Sequence, residues 1–138
     1  MLRRAEDPAV HAVSDQRKLE ILAEYVDAWN RRDLDRVMAL MSEECSYHPS
    51  AVFERDKTAY VGRAEVERAI LRFLERFREG GYVDTRAFVA GDRGAAQWTW
   101  RGVDRDGNSV EIHGCDFYEF DGDRITRKDS YRKVRDIR

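Results

Sequence analysis

Four side chains in this 138-residue chain have the type and setting for acid–base chemistry: Asp116, His48, Asp129 and Tyr25. Asp116 stands in Ile112-His113-Gly114-Cys115-Asp116-Phe117-Tyr118, within a mostly apolar strand. Alternation along a strand puts it on the face of Ile112, Tyr118 and Phe120. Burial among such neighbours disfavours the charged form and predicts a neutral acid that can donate a hydrogen bond. The competing reading is an ion pair with an arginine of the next strand. A two-residue turn at Gly122-Asp123 sets Asp116 opposite Asp129 and pairs two carboxyl groups, whereas a turn at Asp121-Gly122 sets it opposite Arg127. His48 precedes Pro49 at the end of a short strand. An imidazole with the ordinary pKa of about 6.5 is a competent base at neutral pH, and it is equally a surface-facing residue of a strand end. Tyr25 lies one helical step from Leu22 and Trp29, where a buried phenol needs a hydrogen-bond partner.

Aromatic residues supply what a ligand pocket needs. Trp29, Phe53, Tyr60, Trp98, Trp100 and Tyr118 are enough to line a site for a flat or polycyclic apolar molecule, and the same residues also fit a plain core. Trp98 and Trp100 share a strand face. The length of the loop Asp104–Asn108 decides whether they look inward or toward a partner subunit. No two histidines have metal-ligand spacing, His113 has the parity opposite to Asp116, and Cys45 and Cys115 fit no metal or redox motif. Neither a metal nor another cofactor is therefore expected.

Composition narrows the classes. Twenty-five basic against 27 acidic side chains leave a net charge of −2, so no electrostatic case arises for nucleic acid or anionic lipid as a partner. At 42% apolar and 38% charged the chain can build one core and is too polar for a bilayer. The basic pair Arg3-Arg4 has no apolar run behind it, so no signal peptide is expected. Two cysteines make no disulfide framework, and a reducing, cytoplasmic setting follows.

The elements that must position these residues divide into a helical half and a strand half. Residues 1–14 form an N-terminal arm and 15–138 a single domain. Leu19, Leu22, Val26 and Trp29 mark an amphipathic helix ending near Asn30. Asp33 caps a short second helix carrying Leu34, Val37, Leu40 and Met41. A third helix after Gly62 buries Val66, Ile70, Phe73 and Phe77 and is stopped by Gly80-Gly81. Cys45–Pro49 is a short strand, and residues 50–61 a loop holding Phe53 and Tyr60. From Tyr82 onward four β-rich segments alternate with turns at Gly91–Gly94, Asp104–Asn108 and Asp121–Asp123. Three helices followed by a meander predict an α+β domain whose helices cover one face of a curved antiparallel sheet. Apolar side chains occur on both strand parities, so the other, convex face is expected to be covered by a second copy in a homodimer.

The run Tyr25-Val26-Asp27-Ala28-Trp29-Asn30-Arg31-Arg32-Asp33-Leu34-Asp35 resembles the first helix-turn-helix of the nuclear transport factor 2-like superfamily. The hairpin His113–Phe120 with its return strand Ile125–Tyr131 does so too. Over roughly residues 15–134 the likeness is to the ketosteroid isomerase and SnoaL-like polyketide cyclase branch. The resemblance implies a cone-shaped, strongly bent sheet wrapped by three helices around an apolar pocket. It also implies proton transfer next to a carbonyl, with a tyrosine and a protonated aspartic acid stabilising the oxyanion. Those two roles fall on Tyr25 and Asp116, and the family's base falls on Pro49 or, with one residue dropped, on His48. The expected function is a small cofactor-independent isomerase, cyclase or dehydratase acting on an apolar carbonyl compound, with His48 as base and Asp129 in support. The alternative is a non-catalytic module that binds a small molecule or a protein.

Overall fold

A computed structural model describes residues 13–51 and 54–135. The expected arm, up to residue 12, and Phe53 lie outside the described residues. Helix α1 spans Asp15–Asn30, with the Ser14 hydroxyl accepting a hydrogen bond from the Arg17 amide at its N-terminus. Its buried stripe runs through Lys18, Ile21, Leu22, Tyr25, Ala28 and Trp29, so Leu19 and Val26 flank the contact and Tyr25 stands at its centre. Lys18 is drawn in because its ammonium donates to the Gly91 carbonyl at 2.6 Å. Helix α2 covers Leu34–Ala39 behind the Asp33 cap, and α3 covers Arg63–Glu75, burying Val66, Ala69, Ile70, Phe73 and Leu74. No helix among the described residues is long and apolar enough to cross a membrane.

Six strands form one curved sheet in the order β2-β1-β6-β5-β4-β3. They are β1 (Met41–His48), β2 (Tyr60–Val61), β3 (Phe77–Ala90), β4 (Arg93–Asp104), β5 (Ser109–Asp121) and β6 (Arg124–Arg132). The pairs β3–β4, β4–β5, β5–β6 and β1–β2 are antiparallel, and β1 runs parallel to β6. The helices cover the inner face. That face carries Tyr82 on β3, Ala96, Trp98 and Trp100 on β4, and Asp116 and Tyr118 on β5. Trp98 and Trp100 therefore look inward, which the sequence had left open.

Three expectations about the elements are corrected. Gly80-Gly81 does not end α3, which stops at Glu75, but sits inside β3. A Cβ on Gly80 would lie 2.9 Å from the Trp100 ring, and one on Gly81 2.9 Å from the Asn30 amide oxygen. The glycines are there for close packing and not for a left-handed cap. Met41, expected on the second helix, opens β1 with its side chain in the core, and Tyr60, expected in a loop, pairs with Tyr47.

Gly114 is the tightest point of the inner face. A Cβ there would meet the Tyr131 carbonyl and come within 2.7 Å of the Trp98 ring, so backbone must move to admit it. Gly114→Ala is expected to destabilise the fold by about 1–3 kcal/mol, read as a lower urea midpoint; an unchanged midpoint would show that this contact is not close.

Candidate functional site

The centre of the inner face is a buried ion pair. Asp116 and Lys128 are each 1% exposed, and the Lys128 ammonium donates to Asp116 Oδ2 at 2.6 Å. The same oxygen accepts from the Tyr118 hydroxyl at 3.0 Å, and Oδ1 accepts from the Ser130 hydroxyl at 2.6 Å. Asp116 is thus an acceptor of three hydrogen bonds. The expected neutral, unpaired donor is not what the geometry supplies, and the ion pair forms with a lysine, not with Arg127.

A β-bulge explains the partner. The β5–β6 turn is at Gly122-Asp123, with Asp121 facing Arg124 and Phe120 facing Ile125. Between Glu119 and Phe120 the register shifts by one residue, so Glu119 faces Arg127 and Asp116 faces Ser130. The extra residue on β6 is Thr126, which accepts a hydrogen bond from Ser42 at 3.0 Å. An inserted residue inverts every later side chain of its strand. Lys128, Ser130 and Arg132 consequently point inward, and Asp129, expected opposite Asp116, points outward.

Around the Lys128 ammonium stand the rings of Trp29 at 5.0 Å, Tyr118 at 5.5 Å, Tyr82 at 5.6 Å, and Tyr25 and Tyr47 at 5.9 Å. Such ring faces attract a cation that has lost its water. Burial, with the Asp116 charge adding to it, pushes the phenols of Tyr82 and Tyr118 well above the usual range; burial does the same to Tyr25. These hydroxyls stay protonated. The Tyr25 hydroxyl is directed to the Met41 sulfur at 3.6 Å and lines none of the hollows described below.

The inner face retains little empty space. A chamber bounded by Tyr47, Tyr82, Trp98, Trp100, Ser130 and Arg132, with Ser50, Phe73 and Ile112, leaves about 10 Å³, room for roughly one water molecule. Trp98 and Trp100 bound it with indole N–H groups that are buried and lack a partner among the described residues. Ser50, Ser130 and Arg132 also border a second, open hollow of about 460 Å³ at the strand ends, where His48 and Asp129 lie. His48 faces Asp129 across the parallel β1–β6 pair on the outer sheet face. Burial, and secondarily the Arg127 charge, lower the His48 pKa, so its imidazole is neutral at pH 7. Asp129 accepts from Arg127 and from the Tyr131 hydroxyl, each at 3.3 Å.

The expected constellation therefore divides. Asp116 and Tyr25 lie on the inner side with Trp29, Trp98, Trp100 and Tyr118, while His48 and Asp129 share the outer hollow. Tyr60 is buried on β2 near the Lys57 ammonium. Sequence reasoning missed Lys128, Ser130 and Arg132. One signal was present: the chain has four lysines among 25 basic residues, and two of them, Lys18 and Lys128, are the buried cations among the described residues. Among the described residues no group of three His, Cys, Asp or Glu side chains is placed to hold a metal ion.

The SnoaL-like domain family matches residues 22–128. The chain belongs to that family. Solved structures share the SnoaL-like fold at low identity. A candidate polyketide cyclase from Xanthomonas campestris pv. campestris is 22% identical, with a TM-score of 0.76 over 86% of this chain and 92% of its own. A protein of ketosteroid isomerase-like fold from Catenulispora acidiphila, solved with trimethylamine, is 17% identical, with a TM-score of 0.73 over 83% and 86%. TerC, co-crystallised with polyporic acid, is 13% identical, with a TM-score of 0.74 over 85% and 92%. No curated protein matches the sequence.

The ion pair lends itself to a double-mutant cycle. Lys128→Met leaves a buried carboxylate without its cation and is expected to cost about 3–5 kcal/mol. Adding Asp116→Asn removes the stranded charge, so the double variant should be more stable than the Lys128→Met single variant in chemical denaturation. Additive losses would mean that the two side chains do not interact.

Proposed function

We propose that this SnoaL-like protein is a cofactor-independent enzyme that moves a proton on an apolar, carbonyl-bearing small molecule, in the manner of an isomerase, cyclase or dehydratase. The observation that carries this reading is the Ser130 hydroxyl, which borders the chamber and also donates at 2.6 Å to the buried Asp116. A substrate C–H beside a carbonyl gives its proton to Ser130 Oγ as the serine proton passes to Asp116 Oδ1, and reversal returns a proton to a different atom. Nothing is consumed in that cycle. Lys128 holds the carboxylate in place, with Tyr118 and the surrounding rings fixing the lysine, so the proton-handling group is preorganised. Trp98 and Trp100 form chamber walls, whereas Trp29, Tyr118 and Tyr25 belong to the cage behind it. His48 and Asp129 border the outer approach. Structures of the same fold that contain trimethylamine or polyporic acid support small-molecule binding as the use of this scaffold.

The second reading, a binding module without turnover, is favoured by one observation: Asp116 is held in a buried ion pair with Lys128 and is not the free, neutral acid that the catalytic expectation called for. Deuterium exchange separates the two. In D2O the protein should accelerate exchange of the α-protons of a neutral cyclic 1,4-diketone, followed by NMR. Ser130→Ala should slow it at least about 100-fold, while far-UV circular dichroism stays native. A native protein that binds the diketone without accelerating exchange would leave the binding module standing. Exchange at the full rate in Ser130→Ala would remove the relay.

The outer sheet face supports a homodimer. Phe88, Phe117 and Tyr131 are exposed there, beside an open groove of about 840 Å³ running past Thr99, His113 and Cys115. Contiguous exposed apolar surface on a sheet is a usual site of association. The free thiols Cys45 and Cys115 fit a reducing cytoplasmic setting. Sedimentation should give twice the chain mass, and Phe117→Glu should give the mass of one chain; a monomeric parent protein would end the dimer reading.

A further inference from the structure

The mouth between the chamber and the outer hollow carries a guanidinium, that of Arg132, which no carboxylate among the described residues pairs with, Asp129 in that hollow being held by Arg127. Arg132, the last residue of β6, is directed inward by the Thr126 bulge and borders both spaces. Its guanidinium donates to the Ser50 hydroxyl at 3.0 Å, and among the described residues no carboxylate pairs with it. Several other arginines of this chain do have such a partner, whereas Arg32, Arg78 and Arg105 donate to backbone carbonyls. Arg31, Arg36, Arg72, Arg101 and Arg127 each pair with an aspartate or glutamate. A second guanidinium, that of Arg76 at the end of α3, lies close enough to repel Arg132, and burial together with that repulsion lowers the pKa of Arg132 below its usual value. A half-buried cation next to a like charge is an unfavourable arrangement that a bound anion relieves. The chamber behind it adds two donors, the buried indole N–H groups of Trp98 and Trp100, that have no partner among the described residues.

We propose that this mouth is an anion subsite, and that the molecule it takes is a small aromatic acid whose carboxylate or acidic enolate is held by the Arg132 fork. Resting on the proposed function, the inference narrows its substrate class from an apolar carbonyl compound to one that also bears a negative charge. Arginine presents parallel N–H donors that match a carboxylate in geometry and charge. Ser130 and Arg132 are two residues apart on one strand face, so their backbone positions are about 7 Å apart. An acid anchored on Arg132 therefore brings a carbon two or three bonds from its charged group to the Ser130 hydroxyl. Its ring extends into the open hollow of about 460 Å³, against Pro49 and Tyr131.

The experiment is a titration of the full chain followed by intrinsic tryptophan fluorescence, with 1-naphthoate and its neutral analogue 1-naphthamide as probes. Naphthoate is expected to bind saturably at least ten times more tightly than the amide, and raised salt should weaken only the acid. Arg132→Gln should weaken naphthoate at least tenfold and leave the amide unchanged, while Arg132→Lys should retain part of the affinity. Equal binding of acid and amide, binding of neither, or undiminished naphthoate affinity in a folded Arg132→Gln protein each overturns the subsite. Should Arg132→Gln fail to fold, the acid-to-amide ratio and the salt response of the unaltered chain decide alone. Naphthoate binding without exchange of diketone protons would leave the subsite intact and remove the enzyme. Exchange without selectivity for the acid would do the reverse.

Discussion

An ammonium and a carboxylate held 2.6 Å apart, both out of reach of water, are the constraint on which the inner face of this protein depends. Removing either ion from water costs several kcal/mol, and their mutual attraction offsets that only when the remaining hydrogen-bonding capacity is also met. Here Ser130 and Tyr118 complete the carboxylate, and five aromatic rings take the place of water around the ammonium. The rings are contributed by α1, β1, β3 and β5, so the pair ties the first helix to three strands of the sheet. It also takes up room: the lysine side chain and its cage occupy much of the hollow that a cone-shaped fold encloses, which is why the remaining chamber is small.

That pair exists because of one additional residue. Without the bulge at Thr126, β6 would present Arg127 and Asp129 to the core, and Asp116 would face another acid. With it, β6 presents Lys128, Ser130 and Arg132 in succession from the depth of the cone to its mouth. The three have graded exposure and graded roles in the proposed chemistry: a buried cation that holds the base, a hydroxyl that reaches the chamber, and a cation where the chamber meets the outside. The outer face receives what the inner face does not, namely Phe117, Tyr131, Asp129 and His48.

The family relationship bears on these features unevenly. Neighbours below 25% identity share the course of the backbone, and a shared scaffold does not carry a shared reaction. The chemistry argued here rests on side chains of this chain: a carboxylate contacted by a chamber-facing serine, and a guanidinium without a carboxylate partner among the described residues. Both are properties of β6 in its shifted register, and neither follows from the course of the backbone alone.

Much of the architecture was legible in the order of residues. Helical spacing in residues 15–30 and 63–75, the change to alternation after Gly81 and the turn residues at Gly91, Gly107 and Gly122 specify an α+β domain, because hydrophobic period and turn chemistry are local properties. Asp116 was legible as an inward acid for the same reason, since strand parity follows from the neighbouring Ile112, Tyr118 and Phe120. Its partner was not. Even with the hairpin turn correctly placed at Gly122-Asp123, pairing beyond it depends on a bulge that no residue type announces, and a single inserted residue exchanges Asp129 for Lys128 and Ser130 on the core side. Gly80-Gly81 misled in the same way, since a glycine required by a tryptophan ring from another strand has the same local signature as a helix stop. Composition and spacing thus determined which elements form and which face of each is apolar. Only tertiary packing decided which polar groups meet inside, because that depends on register between strands distant in sequence and on how far two backbones can approach.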